Sequence, residues 1–334
     1  MSVAVLVNVR ARHGSEEIGD RIRRILPKAR VGVTHSLEEA QGCVTRHLVP
    51  DMPDILISGG GDGTAVTLLN ELRRERLAVN TFGLLPLGTG NGWARATGVA
   101  SQGAALRGLG ALRDNEAPPT RTFSLVETEG RVTPFAGTGW DAEILSDYKK
   151  MLDEMPESLR TATGGTAGYI RSIFSRTIPR HLGGKERPVV RLVNLGAQAM
   201  RVDDQGRAVP IPNGGPGAVL YEGPISVGGA ATTEELGLGF KAFRFAHLVP
   251  GRMAVRIYAA STLSATVRMP WLWRGVHPLP DDHNWMLTRC RMEFDRPVPF
   301  EIGGDLAGDR TSVEMGVAED AVPLVDWRKM PRPR

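Results

Sequence analysis

The first third of the chain alternates two hydrophobic periods. Val3–Val7 is an unbroken apolar run, the pattern of a strand covered on both faces of a parallel sheet. Ile18, Ile22, Ile25 and Leu26 then recur at helical spacing across Glu16–Leu26, with Pro27 just past the last of them. Val31–Thr34 predicts a second strand and Ser36–Leu48 a second helix, with Ser36 and Glu39 spaced as a capping box. Asp54–Ser58 and Thr81–Pro86 predict a third and fourth strand. Each of these runs into a glycine-rich turn and then a helix, the first of which extends to about Arg76. Repetition of this kind predicts an open parallel sheet.

From about Thr120 the period shortens. Arg121–Glu127, Arg131–Phe135, Val189–Val193, Ala218–Val227, Met253–Ala259 and Arg289–Phe294 are short alternating stretches punctuated by Gly, Pro and Asp. They predict antiparallel strands, interrupted by one helical segment between about Ala142 and Arg176. The expected fold is thus an α/β N-terminal domain with an open, mostly parallel sheet, followed by an antiparallel β-sandwich-like domain. A length of 334 residues agrees with two domains at roughly 150 residues each.

Composition narrows the class. Apolar residues at 41% and charged residues at 23% exclude a disordered chain, a coiled coil and a collagen. Lys+Arg 41 against Asp+Glu 37 leaves a small basic excess with no concentrated stripe, so a nucleic-acid partner is not expected. The mild enrichment at Arg21–Arg30 and Arg328–Arg334 fits a solvated surface, with attraction to anionic membranes as the alternative. Cys43 and Cys290 stand far apart without metal spacing, which argues for reduced thiols and a cytoplasmic setting. No run of 18 apolar residues exists, and the N-terminal segment reads as a strand rather than a signal peptide. A soluble protein is expected, with peripheral membrane contact left open.

The strongest chemical signal is Ser58-Gly59-Gly60-Gly61-Asp62-Gly63-Thr64, at the end of one strand and the start of a helix. Open α/β sheets place ligands there. Glycines let a backbone approach closely, and amides at a helix N-terminus favour phosphate. A Walker loop is excluded, since the Gly183-Gly184-Lys185 run continues with Glu186 in the β region. The dinucleotide fingerprint fails because Val66 stands where its third glycine belongs. A second signal, Pro86-Leu87-Gly88-Thr89-Gly90-Asn91-Gly92, again joins a strand to a helix. Asn-Gly alone is a common turn, but two such turns on successive strands converge on one crevice.

With Gly60–Thr64 reading GGDGT and Pro86–Asn91 reading PxGTxN, the chain resembles the diacylglycerol kinase catalytic family, which includes bacterial lipid kinases and sphingosine kinases. NAD kinases share the GGDGT element more distantly. Thr34 with Ala40, Gly137–Ala142, Trp273–His277 and Gly303-Gly304-Asp305 follow the family pattern in the same order. The resemblance implies an ATP- and Mg²⁺-dependent lipid kinase of two domains. Residues 1–118, completed by a returning 311–334, would bind nucleotide, and 119–310 would bind lipid. ATP contacts would come from Asn8, Arg12, Thr34, Gly60, Gly61, Asp62, Gly63, Thr64, Thr89 and Asn91. Asp62 would face the nucleotide and its metal, and Asp305 would be the general base that deprotonates the lipid hydroxyl.

The pattern is eroded in places. The family's first phosphate turn is reduced to Asn8-Val9-Arg10-Ala11-Arg12, losing its Pro and Gly. Val66-Thr67 stands for a usual Asn-Glu, and Pro250-Gly251 for a metal-binding Asp-Gly. No metal ligands can be named. Two readings therefore compete with a lipid kinase: a kinase for a soluble acceptor such as NAD, and a nucleotide- or lipid-binding relative without turnover. His277 and His283 near Asp281 and Asp282 are a weak metal candidate, and Trp271–Arg274 is read as an aromatic core strand or turn, or as an interfacial anchor. Tyr169, Ile170, Ile173 and Phe174 form a core-packing or lipid-gating helix in this reading.

Overall fold

The computed structural model describes residues 1–44, 51–99, 101–114, 117–139, 142, 187–237 and 239–330. The helix expected around Tyr169–Phe174, the Gly183–Lys185 run, and Trp140-Asp141 lie outside the described residues. The chain forms two compact units, Met1–Ser124 with Asp320–Arg334, and Leu125–Glu319.

In the first unit, β1 (Val3–Asn8), β2 (Arg30–Thr34), β3 (Ile55–Gly60) and β4 (Phe82–Pro86) pair in parallel. The sheet order is β2-β1-β3-β4, then β18 (Val322–Val325) and β5 (Thr120–Phe123). β18 runs parallel to β4, while β5 is antiparallel to β18. The uninterrupted apolar character of β1 has its physical cause here, because both faces are covered. Val3, Val5 and Val7 pack with Ile22, Leu106 and Leu109, while Ala4 and Leu6, equally buried, point to the opposite face.

Four of the covering helices were expected from the sequence, and a fifth, over Gln102–Gly110, was not. α1 (Glu16–Ile25) starts at Ser15, whose hydroxyl accepts from Ile18 N. α2 (Leu37–Cys43) starts at Ser36, which accepts from Glu39 N, but Glu39 reaches back to the amide of His35 rather than to that of the cap. α3 (Asp62–Arg74) and α4 (Gly92–Ala96) follow the two glycine turns, and α5 (Gln102–Gly110) is capped by Ser101. The returning segment grips α4 from behind. Trp327 N donates to Thr97 O at 3.0 Å, and Arg328 donates to Ala96 O at 3.0 Å.

Among the described residues the second unit is a twelve-stranded antiparallel sheet. Its strands are β6 (Val126–Thr128), β7 (Arg131–Thr133), β8 (Phe135–Gly139), β9 (Val189–Asn194), β10 (Met200–Val202) and β11 (Ala208–Pro210). They continue as β12 (Val219–Pro224), β13 (Val227–Ala231), β14 (Met253–Tyr258), β15 (Asp282–Leu287), β16 (Arg289–Ile302) and β17 (Asp305–Val317). Val190, Leu192, Val255, Ile257, Leu287, Met292, Phe300 and Met315 fill its core.

Three details differ from the sequence pattern. Arg121–Glu127 is not one strand, because β5 belongs to the first unit and β6 to the second. Residues 311–317 pair with β16 as part of β17, so the returning segment starts only at Asp320. Trp271–Trp273 is neither strand nor turn but the end of a helix, α6 (Thr262–Trp273). Ser261 caps its start, and Gly275 at φ 64° closes its end with Gly275 N bonded to Leu272 O and Val276 N to Trp271 O, a Schellman motif.

Candidate functional site

β1 is flanked by β2 on one side and β3 on the other, so the chain changes direction across the sheet there. A crevice outside the carboxyl ends of the strands at such a switch point is where open α/β sheets bind ligands. Three turns meet at these ends, following β1, β3 and β4.

The first turn survives the loss of its proline and glycine. Asn8 Oδ1 accepts from Arg10 N at 2.9 Å, and Asn8 O accepts from Ala11 N at 3.2 Å. Gly14 supplies the close approach, since a Cβ there would stand 2.0 Å from Asn8 O. His13 N then donates to Leu87 O at 2.8 Å, tying this turn to the third. Neither His13 nor Gly14 was marked by the sequence, because one acts through its amide and the other through a missing side chain.

The second turn leaves a helix terminus open. Gly61 is the N-cap of α3 and brings no side-chain acceptor. The first bond of the helix is Ala65 N to Gly61 O, so the amides of Asp62, Gly63 and Thr64 precede the intrahelical ladder. Together with the positive end of a 13-residue helix, these amides suit an anion. Asn8 Nδ2 donates to Thr64 Oγ1 at 3.1 Å, and a Cβ on Gly60 would stand 2.4 Å from that same oxygen. Gly60, Gly61, Gly63, Thr64 and Asn8 are therefore gathered at one point.

The third turn is bound to the second and largely satisfied by it. Leu87 N and Gly88 N both donate to Gly60 O, at 2.9 and 3.1 Å. Asn91, left-handed at φ 52°, folds its side chain onto its own turn, with Oδ1 accepting from Gly88 N at 3.0 Å and Nδ2 donating to Gly88 O at 2.6 Å. Asp62 crosses from the second turn to cap α4, accepting from Gly92 N at 2.7 Å and from Trp93 N at 3.1 Å. Burial pushes its carboxyl up to about 6, against the opposing pull of the Gly92 and Trp93 amides, the Arg95 charge and the Ala94 amide.

This placement alters several expectations. Asp62, expected to face nucleotide, holds the second and third turns together, and Asn91 spends its side chain on closing its own turn. Thr34 is 1% exposed, with its hydroxyl 3.5 Å from Val7 O and its carbonyl accepting from Val9 N, so it backs the first turn from inside the sheet. Thr89 is half-buried in the third turn, and Arg12 is exposed beside the first. Val66, at the eroded Asn-Glu position, is a core residue.

The second unit places Asp305 at a hairpin. Gly303 and Gly304 have φ of 62° and 87°, the two-residue turn that matches the twist of paired strands, and Ile302 pairs with Asp305 across it. Asp305 is exposed at the first position of β17, and Asp309 is exposed four residues on. The glycines of Gly137–Gly139 are explained by packing, since a Cβ at Gly137 would stand 2.8 Å from Gly228 O and one at Gly139 2.3 Å from Ser226 O. Pro250-Gly251 forms an exposed turn. Among the described residues no group of three or more His, Cys, Asp and Glu gathers as a metal site. His277 bonds to Asp203 O and packs on Phe245, while His283 packs on Tyr221.

Residues 2–122 match the model of the diacylglycerol kinase catalytic domain. No curated protein sequence matches the chain. Among solved structures, a diacylglycerol kinase from Bacillus anthracis aligns with a TM-score of 0.63 at 15% identity, covering 97% of this chain and 96% of that one. A second structure from that organism, provisionally assigned as a diacylglycerol kinase, gives 0.65 at 15% identity over 97% and 94%. An NAD kinase from Archaeoglobus fulgidus in complex with ATP gives 0.48 at 12% identity over 99% and 95%. The two Bacillus anthracis likenesses show the shared fold. Residues 2–122, the segment similar to the diacylglycerol kinase catalytic domain, build all three turns.

Proposed function

We propose that this protein is an ATP- and Mg²⁺-dependent lipid kinase that phosphorylates the hydroxyl of diacylglycerol or a related lipid. The observation that carries the reading is the uncapped N-terminus of α3 at the sheet's switch point, inside the segment that matches the catalytic domain. The amides of Gly63 and Thr64 hold phosphate oxygens, the Thr89 hydroxyl adds a contact, and Arg12 contributes positive charge. Asn8 positions Thr64, and Asp62 keeps the third turn in register with the second. Thr34 supports the same turns from within the sheet.

The donor set fits a nucleotide better than a protein-bound cation. Mg²⁺ commonly keeps several waters and rides on substrate phosphates with one or two carboxylates. Bound Mg-ATP supplies the phosphoryl group and neutralises its charge. Asp305 orients the lipid hydroxyl and takes its proton on the carboxylate as the oxygen attacks the γ-phosphorus of ATP, the bond to the β-phosphate breaks and ADP leaves. The protein works in the cytoplasm with peripheral contact to a membrane; among the described residues no helix is long and apolar enough to cross one.

Radiolabelled ATP offered with a panel of lipids in mixed micelles, and separately with NAD, tests the proposal. Labelled lipid is the expected product. Labelled NAD alone, or ATP binding without any labelled product, would replace it with the soluble-acceptor or binding-only reading.

A further inference from the structure

Helix α6 carries apolar side chains on both of its sides. One side is ordinary core: Ala265 and Leu272 are buried, and Met269 packs with them against Tyr258 and Ala260. On the other, Leu263 is 64% exposed, Val267 63% and Trp271 48%. At about 100° per residue, positions i, i+4 and i+8 fall within one narrow stripe. Pro270, on the same stripe, is also exposed. Of eight large hydrophobic side chains that stay exposed among the described residues, four belong to this helix, the fourth being Trp273, which stacks on Phe240. Scattered exposed apolar residues need no explanation, but a three-turn stripe does.

The surroundings of the stripe are basic. α6 contains no acidic residue. At its C-terminal end stand exposed Arg274, Lys241 and Arg244. Lys241 N bonds to Trp273 O at 3.0 Å and Arg244 to Gly275 O at 3.0 Å, which fixes both beside the helix end. Arg268 flanks the stripe, 3.6 Å from Asp281. Glu235 lies in the preceding segment and accepts from Gly239 N. Apolar residues and tryptophan on one face with cations at its rim is the composition of a helix lying in a lipid headgroup layer. A second copy docking through the same patch in a two-fold dimer would bring these cations together.

We propose that α6 is a membrane-docking helix, which sets Leu263, Val267 and Trp271 into the interface of an anionic bilayer while Lys241, Arg244 and Arg274 meet its headgroups. Its purpose rests on the lipid-kinase reading, whereas the surface itself does not.

The test is co-sedimentation of the full chain with vesicles of phosphatidylcholine and phosphatidylglycerol, against vesicles of phosphatidylcholine alone. Wild type should partition to the anionic vesicles, and Leu263→Asp with Val267→Asp should weaken this about tenfold or more. Lys241→Glu with Arg274→Glu should reduce binding to the anionic vesicles and remove its salt dependence. If the aspartates lower the melting temperature, Leu263→Ser with Val267→Ser makes the same comparison. Phosphorylation of a short-chain, water-soluble diacylglycerol reads the chemistry without a membrane. Vesicle binding lost with that turnover retained supports docking. Vesicle binding lost in a protein that phosphorylates no lipid keeps docking and removes the kinase reading. Vesicle binding unaltered in the apolar variants overturns docking, and a dimer that becomes a monomer in those same variants would assign the face to a second copy.

Discussion

Gly61 and Gly88 meet backbone to backbone. A Cβ placed on Gly88 would stand 2.4 Å from the Cα of Gly61, whereas one on Gly61 would stand 3.3 Å from the Cα of Gly88. Gly60 O of the second turn can accept from both Leu87 N and Gly88 N of the third only because both glycines lack side chains at this contact. Gly88→Ala should therefore separate the turns, costing about 1–3 kcal/mol of stability, with a smaller loss for Gly61→Ala. Thermal melts and ATP calorimetry on both variants check this, and the reverse order would contradict the packing account.

Asp62 makes a pH-dependent contribution of known sign. Its native carboxyl is raised from 3.8 to about 6, so between those values the folded chain keeps a proton that the unfolded chain has released. The folded state then binds more protons, and stability falls as pH rises through this window, by at most about 3 kcal/mol and less for a group with some solvent contact. Above pH 6 the difference is constant. Asp62→Asn should flatten this slope, which urea unfolding of both proteins across the window would measure. Parallel curves would show that the carboxyl titrates as it does in the unfolded chain.

The first unit depends on a strand far away in sequence. β18 lies between β4 and β5, and Leu324 on it is 0% exposed. Leu324→Ala should cost about 2–5 kcal/mol. Deleting 320–334 removes that strand together with the Trp327 and Arg328 bonds to α4, so ATP binding should be lost as well. Retention of nucleotide affinity in the truncated chain would show that the parallel strands alone hold the turns.

Asp305→Asn preserves shape and a hydrogen-bonding oxygen but cannot take a proton. As general base, Asp305 should contribute roughly 10²–10⁴-fold to turnover, so kcat should drop by that factor while calorimetric ATP affinity stays the same. A variant with more than half the wild-type kcat would pass the role to Asp309, exposed on the same strand.

The four parallel strands, the helix that follows each of them and both glycine turns were legible in the sequence, because each is written in local terms. Continuous apolar runs mark strands buried on both faces, Ser36 marks a helix start, and a strand-to-helix turn dense in glycine marks a backbone that must come close to something. What the turns come close to was not legible. Asp62 and Asn91 read as ligand contacts because their types suit phosphate and metal chemistry, yet Asp62 accepts from amides of a turn brought alongside by sheet pairing, and Asn91 closes its own turn onto Gly88. Gly14 and Gly137 carry no motif that distinguishes a close backbone approach from a loop, since the atoms they must clear belong to Asn8 and to Gly228 on β13. α6 was missed because apolar residues on both sides of a helix blur its period, with Pro270 standing inside it. Local sequence determined which segments fold as strand, helix and turn. Only the tertiary structure decided which polar atoms those turns leave free, since a hydrogen-bonding group is committed by whatever the rest of the chain places within about 3 Å of it.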